Sequence, residues 1–162
     1  ELGVSYLAKA GYATEPAPEP VLKWLTSVMD AVRKNLDHLD QLAAATQVIF
    51  EYDALARGEE ARRLFDEPGA RETLLVFIPK ILALDEVSYA QFRVAAKATQ
   101  EETGKKGREL FHPIRVALTG AASGPELEKL VPIFEEGSKL SLPRHVKSCG
   151  ERLRDFQEIT KI

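Results

Sequence analysis

The sequence has little cysteine or methionine and no long apolar run. Cys149 is the only cysteine among 162 residues, so neither a disulfide nor a cysteine-based zinc site can form within one chain. No apolar run approaches the roughly 20 residues that cross a bilayer, and the N-terminus lacks the basic and then apolar pattern of a signal peptide. We therefore expect a soluble, cytoplasmic protein with no membrane partner.

The sequence also lacks the spacings that hold metals and nucleotides. Its three histidines, His38, His112 and His145, are scattered over different predicted elements and give no metal-ligand pattern. Gly104–Gly107, which reads Gly-Lys-Lys-Gly, lacks the Ser or Thr and the preceding strand of a phosphate-binding loop, so we interpret it as a helix–helix connector. On these spacings we expect no metal site and no nucleotide cofactor in this chain.

Charge is unevenly distributed along the sequence. The net charge is −3, which argues against a general nucleic-acid binder. Residues 1–88 carry 9 basic and 15 acidic side chains, whereas residues 89–162 carry 13 basic and 10 acidic ones. A polyanion should therefore meet the second half of the chain first.

Apolar residues recur with the helical period, and strand signals are scarce, which predicts an all-α fold. We expect a helical bundle in two subdomains, residues 1–66 and 67–162. The chain begins at Glu1 inside a helical phrase, and Met29 is its only methionine, so we interpret it as part of a longer protein. A helix should begin at Ser88 and stop at Thr103-Gly104.

Four polar residues at helix boundaries suggest specific roles. Asn35 suits the left-handed position after one helix, and Asp37 suits the N-cap of the next. Ser123 and Ser141 should each cap a further helix, the first with Pro125 in its opening turn and the second running toward Gln157.

Residues 109–120, ELFHPIRVALTG, form an amphipathic helix with a proline inside it. Arg108, His112, Arg115 and Thr119 are spaced by four, three and four residues, so they share one face. Pro113 removes a backbone donor and predicts a kink. The polar face suits a ligand or simple solvation, and the residues alone leave both open. The apolar side, expected in the core, holds Leu110, Phe111, Ile114, Ala117 and Leu118.

The stretch GRELFHPIRVALTGAASGPEL, Gly107–Leu127, resembles the C-terminal anticodon-binding region of bacterial-type glutamyl-tRNA synthetases, the class I glutamate–tRNA ligases. The most specific string is P-x-R-x-A-L-T-G. The likeness extends upstream through YLAKAGY and the paired helices WLTSVMDAVRKNLDHLDQLAAATQVIF, which fall in family order. It covers nearly the whole chain.

The resemblance implies a non-catalytic piece of an enzyme. In that family an N-terminal Rossmann domain activates glutamate with ATP and Mg and transfers it to tRNA. The signatures of that domain, a His-Ile-Gly-His-like motif and a Lys-Met-Ser-Lys-Ser-like loop, are absent here. The chain is therefore expected to bind the anticodon loop of the glutamate tRNA, as a monomer, and to catalyse nothing.

Four residues of the second half are implied as tRNA contacts. Arg115 is the arginine of P-x-R and is expected to contact an anticodon base through its planar donors. His112 stands where many relatives have Gln or Met and can donate, accept or stack. Lys97 falls where some relatives have an Arg that meets the RNA. Arg108 shares their surface.

Three further contacts are implied at helix ends. Gly124 and Leu127 correspond to positions that line the same loop, where helix N-terminal amides suit phosphate or carbonyl acceptors. Asn35 aligns with an Arg that reads the last anticodon base in members that charge only the glutamate tRNA. Asn35 is thus either a base contact or only a helix-ending residue, which leaves the glutamine tRNA open as a second partner.

A rival interpretation is a helical scaffold that binds other proteins through an apolar groove. RNA binding should weaken steeply with added salt, whereas an apolar groove should respond little.

Overall fold

The structure is a computed structural model that describes residues 2–54 and 58–162. All regular structure in those ranges is helical, which confirms the all-α prediction. Two short 3-10 turns, Arg33–Asn35 and Leu39–Gln41, lie between α2 and α3. The α-helices are α1 (Leu2–Lys9), α2 (Glu19–Val32), α3 (Leu42–Ala45), α4 (Gln47–Phe50), α5 (Gly58–Asp66), α6 (Ala70–Leu82), α7 (Tyr89–Thr103), α8 (Arg108–Thr119), α9 (Leu127–Gly137) and α10 (Cys149–Thr160).

The chain folds into two compact units, each built from two separate stretches of sequence. The first unit comprises Glu1–Glu51 and Gly124–Ser148, and the second comprises Tyr52–Ser123 and Cys149–Ile162. We expected consecutive subdomains divided between residues 66 and 67, and the units divide elsewhere. Residues 1 and 55–57 of the expected first subdomain lie outside the described ranges. Helical periodicity shows which face of a helix is buried but not which helix covers it.

The first unit is closed by α9, which packs against α2 although a long stretch of sequence separates them. Trp24 is buried, and its indole Nε1 donates to the Ile133 carbonyl at 2.9 Å. Phe50 meets the Trp24 ring edge to face, with centroids 5.6 Å apart. A Cβ on Gly137 would come within 2.5 Å of the Trp24 ring, so the absence of a side chain there lets the indole reach α9.

The second unit is arranged around α6, which packs against α7, α8 and α10. Phe77 of α6 meets Phe92 of α7 edge to face, with ring centroids 5.7 Å apart. Phe65 of α5 and Phe156 of α10 make a second such pair at 5.3 Å. Edge-to-face geometry is favourable for both pairs, and the Phe65–Phe156 pair joins the two stretches of the unit.

The predicted start and end of α7 are confirmed. Ser88 is its N-cap, and the Ser88 hydroxyl accepts from the Gln91 backbone N–H at 3.1 Å while the Gln91 side chain accepts from the Ser88 N–H at 3.0 Å. This reciprocal arrangement satisfies two amides at the helix start. The helix ends at Gly104, whose φ of 71° is left-handed.

Two predicted helix boundaries of the first unit, the end at Asn35 and the start at Asp37, are wrong. Asn35 is not left-handed, because the chain continues past α2 as a 3-10 turn in which the Leu36 N–H donates to the Arg33 carbonyl at 3.3 Å. Asp37 is not the N-cap of the next turn, a position held by His38. The Gln41 side chain accepts from the backbone N–H groups of both Asp37 and His38 and so fixes the entry to that turn.

The two predicted serine caps are also wrong. Helix α9 begins at Leu127 with Glu126 as its N-cap, because Gly124 has a φ of 148° and lies, with Pro125, before the helix. The last helix begins at Cys149 rather than near Ser141. The segment before it is not helical, and its Val146 is fully buried.

Candidate functional site

Helix α8 carries the polar face predicted from the sequence. It runs through Pro113 as a single helix from Arg108 to Thr119. Gly107, with a φ of 57°, precedes it, and Gly120, with a φ of 70°, ends it. Because proline has no N–H, the turn before Pro113 lacks one backbone hydrogen bond.

Three of the four predicted polar residues of α8 reach the surface. Arg108 is exposed, and His112 and Arg115 are half-buried. Burial lowers the pKa of Arg115, although a guanidinium remains charged at neutral pH. A half-buried cation that keeps its charge has part of its hydration already removed.

Two residues of the segment lie on the opposite side from the one we predicted. Thr119 is buried, and its hydroxyl donates to the Arg115 carbonyl at 2.7 Å and accepts from the Ala121 N–H at 3.1 Å. Phe111, expected in the core, is 40% exposed. Thr119 therefore stabilises the last turn of α8, and Phe111 adds an aromatic edge to its surface.

The carboxyl end of α8 is held by two residues that sequence reasoning missed. The Tyr52 hydroxyl donates to the Ala117 carbonyl at 2.5 Å, and Arg152 donates to the Leu118 carbonyl at 3.2 Å. The Arg152 guanidinium lies 5.0 Å from the centre of the Tyr52 ring. Burial raises the pKa of Tyr52, so its hydroxyl keeps the proton that it donates. Together they fix the end of the helix that carries Arg115.

Lys97 lies on the exposed face of α7, one turn after Arg93. The helix continues toward the connector Gly104–Gly107, where Lys106 is exposed and Lys105 is half-buried. Between Tyr89 and Thr119 the chain has six basic and three acidic side chains. Lys97 thus lies on the helix that precedes α8, which carries Arg108, His112 and Arg115, and both helices belong to the second unit.

The other three predicted residues belong to the first unit. Asn35 is exposed at the end of the 3-10 turn after α2, and its neighbour Lys34 pairs with Glu126 at 3.8 Å. Gly124 is exposed before α9, whereas Leu127 is buried as the first residue of that helix. The Lys34–Glu126 pair therefore brings the Asn35 turn close to the start of α9.

The described residues contain no group of three or more His, Cys, Asp or Glu side chains that could hold a metal ion. In the same ranges no helix is long and apolar enough to cross a membrane.

Comparison with known proteins gives consistent matches. A family model described as an anticodon binding domain matches residues 8–144. A glutamate–tRNA ligase of Bacillus licheniformis is 33% identical over 140 residues, which are 86% of this chain and 29% of that protein. The glutamate–tRNA ligase of Alkaliphilus metalliredigens is 31% identical over 147 residues, 91% of this chain and 30% of that protein.

A third relative, glutamate–tRNA ligase 1 of Caldicellulosiruptor saccharolyticus, is 32% identical over 133 residues, 82% of this chain and 27% of that protein. The chain therefore spans less than a third of the length of these curated relatives.

Proposed function

Because the chain belongs to the family of anticodon binding domains, we propose that it binds the anticodon loop of a tRNA. The observation that carries this proposal is the surface of α8, where Arg108, His112 and Arg115 share one face. Planar guanidinium and imidazole groups suit single-stranded loops, whose splayed bases expose edges and stacking faces. Apart from Phe111, the apolar side of α8 is buried, so the face is presented on a rigid element.

We propose the glutamate tRNA as the partner, by analogy with the relatives named glutamate–tRNA ligase. Lys97 serves as a phosphate or base contact, and Asn35, Gly124 and Leu127 contribute from the first unit. The buried side chain of Leu127 restricts its contribution to the backbone at the start of α9. Asn35 lacks the charge and reach of Arg, so the glutamine tRNA remains a second partner to test.

The full-length protein is proposed to ligate glutamate to tRNA with ATP and Mg, in the cytoplasm, as part of protein biosynthesis. By the same analogy with glutamate–tRNA ligases, ATP and Mg are assigned to the remainder of that protein. Acting as a monomer, this chain contributes recognition only.

The test is a titration of the 162-residue chain with the anticodon stem-loop of a glutamate tRNA. Arg115→Ala should weaken binding by about 5- to 150-fold, the size of about 1 to 3 kcal/mol for a lost polar contact. Arg115→Lys should recover only part of the loss because it keeps the charge without the planar fork. Arg63→Ala, which removes an exposed arginine paired with Glu59, is the matched control.

One observation favours the rival scaffold function. A groove of about 380 Å³ lies between α6 and α7, and its lining includes Leu84, Val94 and Ala98. Val94 is 70% exposed. Binding of RNA that weakens steeply as salt rises supports the tRNA function. Failure of the wild-type chain to bind the anticodon stem-loop of the glutamate tRNA or that of the glutamine tRNA would favour the scaffold.

A further inference from the structure

The connector between α7 and α8 places two lysines on an open surface. Lys105 and Lys106 lie between Gly104 and Gly107, whose φ angles of 71° and 57° are both left-handed. A Cβ built on either glycine meets no atom within 4 Å. Close packing therefore does not explain the two glycines, which instead turn the chain sharply on either side of the lysine pair.

The basic side chains at this connector have no ion-pair partner in the part of the chain that the structure describes. In the described ranges neither Lys105, Lys106 nor the adjacent Arg108 forms an ion pair. In the first unit, by contrast, at least four of the eight Lys and Arg side chains form ion pairs with carboxylates. Its ion pairs are Arg33 and Lys129 with Asp30, Lys34 with Glu126, and Arg144 with Glu51.

Lys105 also lies beside the amino end of α6, which is a second source of positive potential. Gly69 precedes α6, and a Cβ built on Gly69 would lie 3.0 Å from the Lys105 ammonium. The amino end of a helix carries partial positive charge, so the ammonium lies where another cation is unfavourable and an anion is favoured. Glu72 is the acidic residue of the first turn of α6 and makes no ion pair with Lys105.

We propose that Lys105 and Lys106 form a phosphate-binding site for the sugar–phosphate backbone of the RNA that α8 contacts. The inference rests on the proposed tRNA function and assigns the connector a separate task. Side chains on α8 would supply base recognition, whereas the lysine pair supplies affinity that does not depend on sequence. Arg108, at the start of α8, continues the same positive surface toward His112 and Arg115.

The test compares Lys105→Gln/Lys106→Gln with the wild-type chain over a range of salt concentrations. Loss of two phosphate contacts should reduce the slope of log affinity against log salt by about 1 to 1.5, at about 0.7 per contact with single-stranded nucleic acid. Near 0.1 M salt the affinity should fall by roughly tenfold. Lys105→Arg/Lys106→Arg should retain both the slope and most of the affinity.

A second arm separates phosphate binding from base recognition. The double Gln variant should weaken binding equally for the glutamate stem-loop and for one with exchanged anticodon bases. Arg115→Ala should instead weaken the glutamate stem-loop more. Lys23→Gln/Lys161→Gln removes the same charge from exposed positions outside the connector and should leave the salt slope unchanged.

The outcomes distinguish the two proposals. If the wild-type chain binds and Arg115→Ala weakens it, but the connector variant matches the Lys23/Lys161 control, the connector site is wrong and the tRNA function stands. If the wild-type chain binds neither stem-loop at any salt concentration, both proposals fall. An unequal loss between the two stem-loops in the double Gln variant would also overturn a phosphate role.

Discussion

Arg152 is the one charged side chain with no exposed surface among the described residues. Removing a guanidinium from water costs several kcal/mol unless other groups compensate. Here the ring of Tyr52 and the Leu118 carbonyl face it. That carbonyl lies at the carboxyl end of α8, which carries partial negative charge. The buried cation therefore joins α10 to the helix proposed to contact the anticodon.

We predict that Arg152→Met destabilises the chain by about 1 to 3 kcal/mol, because it leaves the buried Leu118 carbonyl without this donor. Arg154→Met, on the exposed side of the same helix, should change stability by less than about 0.5 kcal/mol. Urea unfolding followed by circular dichroism measures both. Equal midpoints for the two variants would show that Arg152 makes no net contribution.

Sequence reasoning identified the cations of α8 but not the residues that hold that helix. Arg152 follows Cys149 and precedes Leu153 and Phe156 at helical spacing, so its place on the apolar stripe was readable. Its partners were not readable, because Tyr52 lies far away in the sequence. Residue type and spacing predict a face, whereas contacts between distant segments depend on how the helices pair.

At the scale of an element, α8 shows how one motif serves two purposes. Its first half presents Arg108 and His112, while its last turn is stabilised by Thr119 and ended by Gly120. Gly120 meets two requirements at once, since its φ of 70° is left-handed and a Cβ there would lie 2.1 Å from the Asp53 carbonyl oxygen. Gly120, the last residue of the P-x-R-x-A-L-T-G string, therefore has a structural role.

Gly120→Ala should be much more destabilising than Gly104→Ala. Both glycines end a helix with φ near 70°, so both alanine variants incur the left-handed penalty of about 1 to 2 kcal/mol. Only Gly120→Ala adds a clash with backbone, which cannot move aside as a side chain can, and we expect a further loss of about 2 kcal/mol or more.

Thermal unfolding of both variants measures this difference. Melting temperatures that fall by the same amount would rule out the backbone clash as a separate effect.

Helices were predictable because each buries one face, and that requirement is written into the spacing of apolar residues. Ser88 and Gln91 were readable as a start signal because both partners lie within one turn. The Asn35 turn and the start of α9 were not. After α2 the chain continues as a 3-10 turn, and before α9 it stays non-helical past Gly124. Both conformations depend on the residues packed around them.

At the scale of the whole molecule, the interleaved order of the two units decides which pieces can fold. The first unit needs α9 to cover α2, and the second needs α10 against α6 and α8. A cut at residue 66, where we expected a subdomain boundary, separates α2 from α9 and also α5 from α6 and α8. Each piece would expose apolar surface that the intact chain buries.

We therefore predict that fragments 1–66 and 67–162 do not fold independently. Trp24 is the only tryptophan, and it is buried against the Ile133 carbonyl and Gly137. In fragment 1–66 its fluorescence should shift to the red, as in urea. A chain that joins residues 1–51 to 124–148 through a short Gly-Ser linker keeps the whole first unit and should retain the blue-shifted emission of the full chain. Cooperative unfolding of fragment 1–66 with buried Trp24 would refute the interleaved arrangement, because the indole would then have found its cover without α9.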